Sequence, residues 1–232
     1  MKKIIALCAF AVLTMACSSK KEGNMLVQGQ IKGLKKGTLY LQKMVDGALV
    51  SVDSISLLGD ETYTLTDNVT EPEAYVVTFD GNANDKSIVF FGEQGTITIN
   101  DRLDQFGYQP EITGSKNQVI LDKFQVINKK FKEQRLNFIK QEFDAKVAND
   151  TALTAEIAAG YKRMIRRRYL FTTNFAVTNP DSEVAPYLAL TELYDANVQL
   201  LDTINNALTD RVKNSKYGKK LHTYISEIKA TE

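Results

Sequence analysis

The chain has 232 residues and nearly balanced charge, with 29 Lys and Arg against 28 Asp and Glu, one histidine and two cysteines. Balanced charge gives no general attraction to nucleic acid, so no nucleic-acid partner is expected. So few histidines and cysteines exclude a C-x-x-C redox site and zinc sites built from thiolates or several histidines. G-x-S-x-G, Walker A and G-x-G-x-x-G motifs are also absent, so we predict no cofactor, no metal site and no catalytic residues.

The first 16 residues have the organisation of a cleaved export signal. Two lysines precede an apolar run over residues 4–13, and the small residue Ala16 stands directly before Cys17. The run is too short to span a bilayer, since a spanning helix needs about 20 apolar residues. Residues 1–16 are therefore predicted to be a signal peptide.

The segment Leu13-Thr14-Met15-Ala16-Cys17 resembles the lipobox of bacterial lipoproteins. The resemblance implies cleavage before Cys17 and attachment of acyl chains such as palmitate, which anchor a protein stably because each buried methylene contributes about 0.8 kcal/mol. Residues 17–24 are polar and are predicted to be a lipidated tether. Ser18 does not resemble the Asp that retains some lipoproteins in the inner membrane, so we expect the outer membrane, with the periplasmic or cell-surface side left open. The alternative is an ordinary secreted protein cleaved after Ala16, with Cys17 as a free thiol.

Residues 25–114 are predicted to form an antiparallel β-sandwich or an open barrel. Runs of alternating apolar and polar residues are separated by Gly-containing turns roughly every 8–12 residues. This close spacing leaves no room for a helix in the region. Seven or eight strands of this kind fit the region. The runs are residues 26–31, 38–41, 49–57, 63–66, 74–79, 88–91 and 96–99.

Residues 115–232 are predicted to be an all-α helical region, which makes the fold class α+β. Apolar residues recur at helical spacing over residues 117–148, which predicts one long helix. Asn149-Asp150-Thr151 then predicts a turn and a cap before a second long helix, which Asn179-Pro180 should end. Later helices are expected after a cap at Ser182, through Ile204, Leu208 and Val212, and over residues 215–229.

Several short motifs of the β region recur together in one known family. They are Val27 to Leu34, Gly37 to Leu41, Asp53-Ser54-Ile55, Pro72-Glu73-Ala74-Tyr75, Gly92 to Ile99, and Ile112 to Asn117. On these motifs the region resembles the domain-of-unknown-function family 4369 (DUF4369), which opens many bacterial lipoproteins. Members commonly continue through a helical segment into a thioredoxin-like thiol oxidoreductase domain. The resemblance implies that residues 115–232 correspond to the helical segment, and an accessory or binding role is expected because no C-x-x-C motif is present.

The one dense charge cluster of the sequence lies at residues 162–168. On a helix, Lys162 and Arg166 form one row and Arg163 and Arg167 the next, because residues four apart stack. Our hypothesis is that these four residues bind an anionic partner, which is an acidic headgroup, an anionic saccharide or a protein. The alternative is a solvated face whose cations pair with nearby carboxylates.

Three segments resemble the Asp-Ser/Thr-aliphatic site of an O-glycosylation system found in some Gram-negative bacteria. The resemblance implies glycan attachment at Ser54, Thr151 and Thr203. The alternative is a strand at the first segment and helix caps at the other two.

These features together predict a non-catalytic, lipid-anchored envelope protein that binds a protein or a glycan. Exposed tyrosines on one β face would favour a glycan. The second hypothesis is an accessory subunit of a separate thioredoxin-like thiol oxidoreductase, and the third is an enzyme of unrecognised type.

The predicted lipid attachment can be tested at a single residue. Cys17→Ser is expected to abolish labelling of the protein by an alkyne-tagged palmitate in its native host, because acylation requires the thiol. Ser18→Ala is the matched control and should keep the label. Labelling that persists in Cys17→Ser would contradict the anchor.

Overall fold

The computed structural model describes residues 23–80 and 86–231. The predicted signal peptide, Cys17 and all of the predicted tether except Gly23 and Asn24 lie outside the described residues. The described chain is a β-sandwich followed by helices, which confirms the predicted α+β class. None of the helices in this part of the chain is long and apolar enough to cross a membrane.

Eight strands follow the predicted alternation of apolar and polar residues. Inward side chains such as Val27, Leu39 and Ile97 are fully buried, because alternate residues of a strand point to the same face. The strands are β1 (Met25–Lys32), β2 (Lys36–Val45), β3 (Ala48–Leu58), β4 (Thr62–Asp67), β5 (Glu73–Phe79), β6 (Ile88–Gly92), β7 (Gly95–Arg102) and β8 (Glu111–Thr113).

The strands form two four-stranded sheets, ordered β4-β1-β7-β8 and β3-β2-β5-β6. Their inner faces share one apolar core, so the sandwich alternative is confirmed and the sheets do not close into a barrel. The predicted antiparallel pairing is wrong for β1 and β7, which run parallel with Met25 opposite Gly95. The chain passes through the second sheet between these strands, and a long crossover permits the parallel arrangement that a short hairpin forbids.

The helices begin with the two long ones that the sequence predicts. The Ser115 Oγ accepts a hydrogen bond from the Gln118 N–H at 3.0 Å, and the Asp150 carboxylate accepts one from the Leu153 N–H at 2.9 Å. Both are N-terminal caps of the kind that satisfies free helical N–H groups. The helices are α1 (Lys116–Val147), α2 (Thr151–Val177), α3 (Val184–Glu192), α4 (Val198–Ala207), α5 (Asp210–Lys213) and α6 (Lys216–Thr231).

The entrance to α3 is fixed by Ser182. Its Oγ accepts a hydrogen bond from the Val184 N–H at 3.2 Å, just before the helix begins. The same hydroxyl donates to the Asn117 Oδ1 at 2.6 Å, so the predicted capping residue also ties α3 to α1.

The segment after α3 differs from the prediction. Its apolar spacing predicts one helical segment through Ile204, Leu208 and Val212, but the helix breaks at Leu208, whose ψ of 143° is extended. The N–H of Thr209 donates to the Pro180 carbonyl at 3.1 Å. This bond to the loop before α3 replaces a helical one, while the apolar residues on both sides stay buried. The spacing alone therefore conceals the break.

Phe91 joins the sandwich to the helices. Its side chain is fully buried in a cluster with Leu121 of α1 and Leu188 of α3, and its ring meets that of Tyr187 edge to face at 5.1 Å. Its N–H donates to the Gln118 Oε1 at 2.8 Å. Because both the backbone and the ring of one residue engage the helices, α1 is held firmly against the end of β6.

The last helix makes a second connection to the sandwich. The Ala74 N–H donates to the Tyr217 hydroxyl at 2.9 Å, and the Lys216 N–H donates to the Glu71 Oε2 at 2.8 Å. The two halves of the described chain are thus joined through both ends of the helical region.

Truncating Phe91 should destabilise the whole protein. Phe91→Ala is expected to lower the free energy of unfolding by about 3–5 kcal/mol, because it leaves a cavity at the junction. Val89→Ala is the matched control, since Val89 lies on the same strand and is 44% exposed, and it should cost less than about 1 kcal/mol. Urea unfolding measures both. Similar losses in the two variants would refute the central place of Phe91.

Candidate functional site

The predicted basic cluster lies on α2, and the helix distributes its residues over different faces. Met164 is fully buried. Arg168 is half-buried, forms an ion pair with Glu192 of α3, and donates from Nε to the Asn128 Oδ1 of α1 at 3.3 Å. Arg168 therefore ties α2 to its neighbours and is committed to the fold.

A groove with a volume of about 540 Å³ runs between α2 and the N-terminal end of α4. This volume falls within the range of roughly 300–1,000 Å³ that is usual for small-molecule sites. Most of the lining is apolar. It consists of Tyr161, Ile165, Tyr169 and Leu170 of α2 and Leu200 of α4, with Lys162, Arg166, Asn197 and Gln199 as polar members.

Lys162 and Arg166 are exposed, lie one turn apart on α2, and both line the groove. Neither forms an ion pair with a carboxylate in the described part of the chain. Their charges are therefore not neutralised by neighbours, and an anion that enters the groove meets both.

Arg163 and Arg167 are also exposed, but they lie on the neighbouring row and do not line the groove. They too form no ion pair among the described residues. The alternative interpretation, in which nearby carboxylates pair with this basic face, is thus not observed for any of the four predicted residues over residues 23–80 and 86–231.

The polar groups of the groove are partly engaged by the fold. The Tyr169 hydroxyl donates to the Asp195 Oδ1 at 2.7 Å. Burial, together with this carboxylate, raises the pKa of Tyr169 to about 12, so the phenol is neutral at neutral pH and adds no negative charge. The Asn197 Oδ1 accepts a hydrogen bond from the Gln199 N–H at 2.8 Å and caps α4.

Sequence reasoning found the cations of this site and missed its apolar part. Leu170 lies off the buried stripe of α2 that contains Met164 and is 45% exposed. The place of Leu170 off this stripe is the one feature of the sequence that could have indicated an apolar surface beside the cations. Leu200 has no such feature, because it reaches the groove through the packing of α4 beside α2.

The alternative explanation of the three predicted glycosylation segments, a strand and two helix caps, holds for two of them. Ser54 lies on a strand and Asp150 caps α2, as that explanation predicts. Asp202 does not cap a helix, because α4 begins earlier and Asp202 pairs with Lys229 at 2.6 Å. Glycan attachment stays a prediction. All three predicted attachment residues are exposed. They are Ser54 on β3, Thr151 at the start of α2 and Thr203 on α4.

Exposed tyrosines do not gather on a β face. Of the tyrosines on the strands, Tyr63 and Tyr75 belong to the core of the sandwich, and Tyr40 of β2 is half-buried. Tyr161 and Tyr169 instead line the helical groove. Among the described strands, the feature that would favour a glycan ligand of the β region is therefore not found.

A second polar cluster lies where the sandwich meets α6. The Lys43 Nζ donates to the Asp67 Oδ2 at 2.6 Å, and the Tyr75 hydroxyl donates to the same oxygen at 2.7 Å. Glu73 forms ion pairs with Lys43 and with Lys216 of α6. Each charge of the cluster has a partner, which is typical of a structural network. Over the described residues, no three His, Cys, Asp or Glu side chains are placed to hold a metal ion.

The charges of this cluster stabilise one another. Burial alone would raise the pKa of Asp67, but the hydrogen bonds from Lys43 and Tyr75 hold it below its ordinary value. Burial alone would likewise lower the pKa of Lys43, and the hydrogen bond and charge of Asp67 raise it instead. The pair is therefore charged over the whole neutral range.

Comparison with known proteins assigns the β region only. Residues 25–121 match the family model described as Domain of unknown function (DUF4369), which confirms the resemblance found from the sequence. The match covers the sandwich and the first turns of α1 and ends well before the groove. No curated protein matches the chain.

The Asp67 carboxylate should make stability depend on pH. Its pKa in the folded protein lies below the ordinary 3.8, so its stabilising contribution is present above that value and is lost as the pH falls below it. Asp67→Asn is expected to lower the urea midpoint at neutral pH and to reduce the fall of the midpoint between about pH 5 and pH 2.

The control for this experiment is Asp104→Asn, which breaks the exposed pair with Arg102 and should change the midpoint little. The same steepness of acid destabilisation in Asp67→Asn and the unaltered protein would show that Asp67 does not contribute.

Proposed function

We propose that this protein is a non-catalytic envelope lipoprotein, anchored in the outer membrane through acyl chains on Cys17, that binds an anionic ligand through its helical region. The observation that carries the proposal is the pair Lys162 and Arg166. These are exposed cations without ion-pair partners in the described chain, on one row of a helix that borders an apolar groove. Charge-assisted hydrogen bonds to an anion are strongest where water is partly excluded, as it is beside such a lining.

The β-sandwich acts in this proposal as the platform between anchor and site. The Asn24 Nδ2 donates to the Val69 carbonyl at 2.8 Å, and the Val69 N–H donates to the Asn24 Oδ1 at 2.7 Å. The free tether would then extend only from Cys17 to Gly23, a reach of no more than about 25 Å at 3.3–3.6 Å per residue. In this proposal the start of the sandwich stays within that reach of the membrane, and the position of the groove relative to the sandwich is set by the contacts between the sandwich and the helices.

A second candidate function is an accessory subunit of a separate thioredoxin-like thiol oxidoreductase, since proteins of the family that residues 25–121 match commonly continue into such a domain. In this role the protein supplies a scaffold and the partner supplies the thiols. The two candidate functions differ in whether they depend on Lys162 and Arg166. Binding of an anionic ligand in the groove requires these cations, and the accessory role does not.

Photo-crosslinking in the native host tests the groove directly. Benzoyl-phenylalanine in place of Leu170 is expected to capture the ligand from the intact envelope. Adding Lys162→Glu and Arg166→Glu should reduce the adduct at least about tenfold, because the reversal replaces attraction of an anion by repulsion. Adding Arg163→Glu and Arg167→Glu makes the same charge change off the groove and should leave the adduct within about twofold of the parent.

Equal losses in the two double variants, or an adduct that neither alters, would overturn binding at the groove. An adduct with a thioredoxin-like protein that is insensitive to both reversals would favour the accessory role instead.

A further inference from the structure

The groove between α2 and α4 has two chemically different parts. Ile165, Leu170 and Leu200 supply an aliphatic lining, and Lys162 and Arg166 supply positive charge beside it. An apolar lining favours a ligand portion that leaves water, and the cations favour a negative group. A ligand complementary to both parts has a long apolar portion and one anionic end.

A peptide fits this lining poorly. Every peptide group that enters an apolar groove needs hydrogen-bond partners there, because an unpaired one is destabilising. The Tyr169 hydroxyl already donates to Asp195 and the Asn197 Oδ1 already accepts from Gln199, which leaves the side-chain amides of Asn197 and Gln199 at the α4 end as the main polar groups of the lining beside the two cations. No strand borders the groove, so no sheet edge is offered for backbone pairing. An acyl chain makes no such demand, because it carries no polar group.

The shape of the groove favours one free molecule over a bilayer. The volume of about 540 Å³ suits a small ligand. The groove is concave, whereas a bilayer presents a flat surface that cannot follow it. The aliphatic lining is limited to Ile165 and Leu170 of α2 and Leu200 of α4, so a second acyl chain would remain in water.

We propose that this groove binds a single-chain anionic amphiphile, with its chain along Ile165, Leu170 and Leu200 and its carboxylate or phosphate at Lys162 and Arg166. The inference rests on the proposed function and names the ligand class for the same site. The paired N–H donors of an arginine suit the oxygens of either a carboxylate or a phosphate. The occupant is therefore a free fatty acid or a lysophospholipid taken up as a monomer.

The test uses the full lipidated protein in isolated envelopes. A palmitate analogue with a diazirine and an alkyne is added without ATP or coenzyme A, so that it cannot be incorporated at Cys17, and is then photolysed. Peptide mass spectrometry locates the adduct, which is expected on α2 and α4.

Two variants with matched controls test the two parts of the groove. Leu170→Asp, which puts a charge into the apolar part, and Lys162→Glu with Arg166→Glu should each reduce the adduct at least about tenfold. Leu136→Asp, at a 66% exposed position of α1 outside the groove, and Arg163→Glu with Arg167→Glu should stay within about twofold of the parent. Equal losses in Leu170→Asp and Leu136→Asp would overturn the inference.

Competition identifies the headgroup. Unlabelled palmitate and lysophosphatidate should both displace the analogue, and the stronger of the two identifies the preferred anion. Hexadecanol, which has the same chain as palmitate without the charge, should compete at least about tenfold more weakly. Equal competition by hexadecanol, or displacement only by anionic phosphatidylglycerol vesicles, would overturn binding of a free anionic amphiphile.

Failure of this inference is distinguishable from failure of the proposed function. A protein or glycan captured at position 170 in cells, with loss on charge reversal at Lys162 and Arg166 and no palmitate adduct on α2 or α4, overturns the amphiphile and leaves the proposed function standing. Absence of any charge-dependent adduct in both experiments overturns both.

Discussion

The burial of both faces of β6 at Phe90 and Phe91 is the constraint on which the arrangement of this molecule depends. Phe90 lies in the core of the sandwich, and Phe91, the next residue, lies among the helices. Because these neighbouring rings are buried on opposite faces, the strand cannot shift by one residue without moving each ring into the wrong layer. Since Gln118 of α1 also accepts the N–H of Phe91, the start of α1 is fixed relative to the sheet, and α1 and α2 leave the sandwich as one hairpin.

The position of α2 follows from this arrangement and in turn creates the groove. The ring of Phe124 stacks on that of Phe171 at 5.5 Å, which holds α2 against α1. The ion pair between Arg168 and Glu192 holds α2 against α3. With these two sides occupied, α4 packs beside α2 and leaves the row of Lys162 and Arg166 uncovered. The same cluster of basic residues is thereby divided into one structural cation and cations available to a ligand.

Much of the fold could be predicted because its elements have clear periods. The alternation around Val27 and Ile97 and the helical spacing of Phe124 and Phe131 each reflect which side of an element meets a core. The parallel contact of β1 with β7 could not be predicted in this way, because strand direction leaves the alternation unchanged. Nor could the helix break at Leu208 be predicted, since the Pro180 carbonyl that accepts the next N–H, that of Thr209, is supplied by a distant part of the chain.

The candidate site, like the fold, has some features that the sequence determines and others that depend on tertiary packing. The sequence by itself determined the order of strands and helices, the two long helices with the cap at Asp150, and the density of positive charge on α2, and it predicts an export signal. Only the tertiary structure decided that Arg168 is paired, that Lys162 and Arg166 border a groove, and that Leu200 lines it. The physical reason is that periodicity and charge density are local properties of a segment. The partner of a side chain, by contrast, depends on which distant element packs beside it.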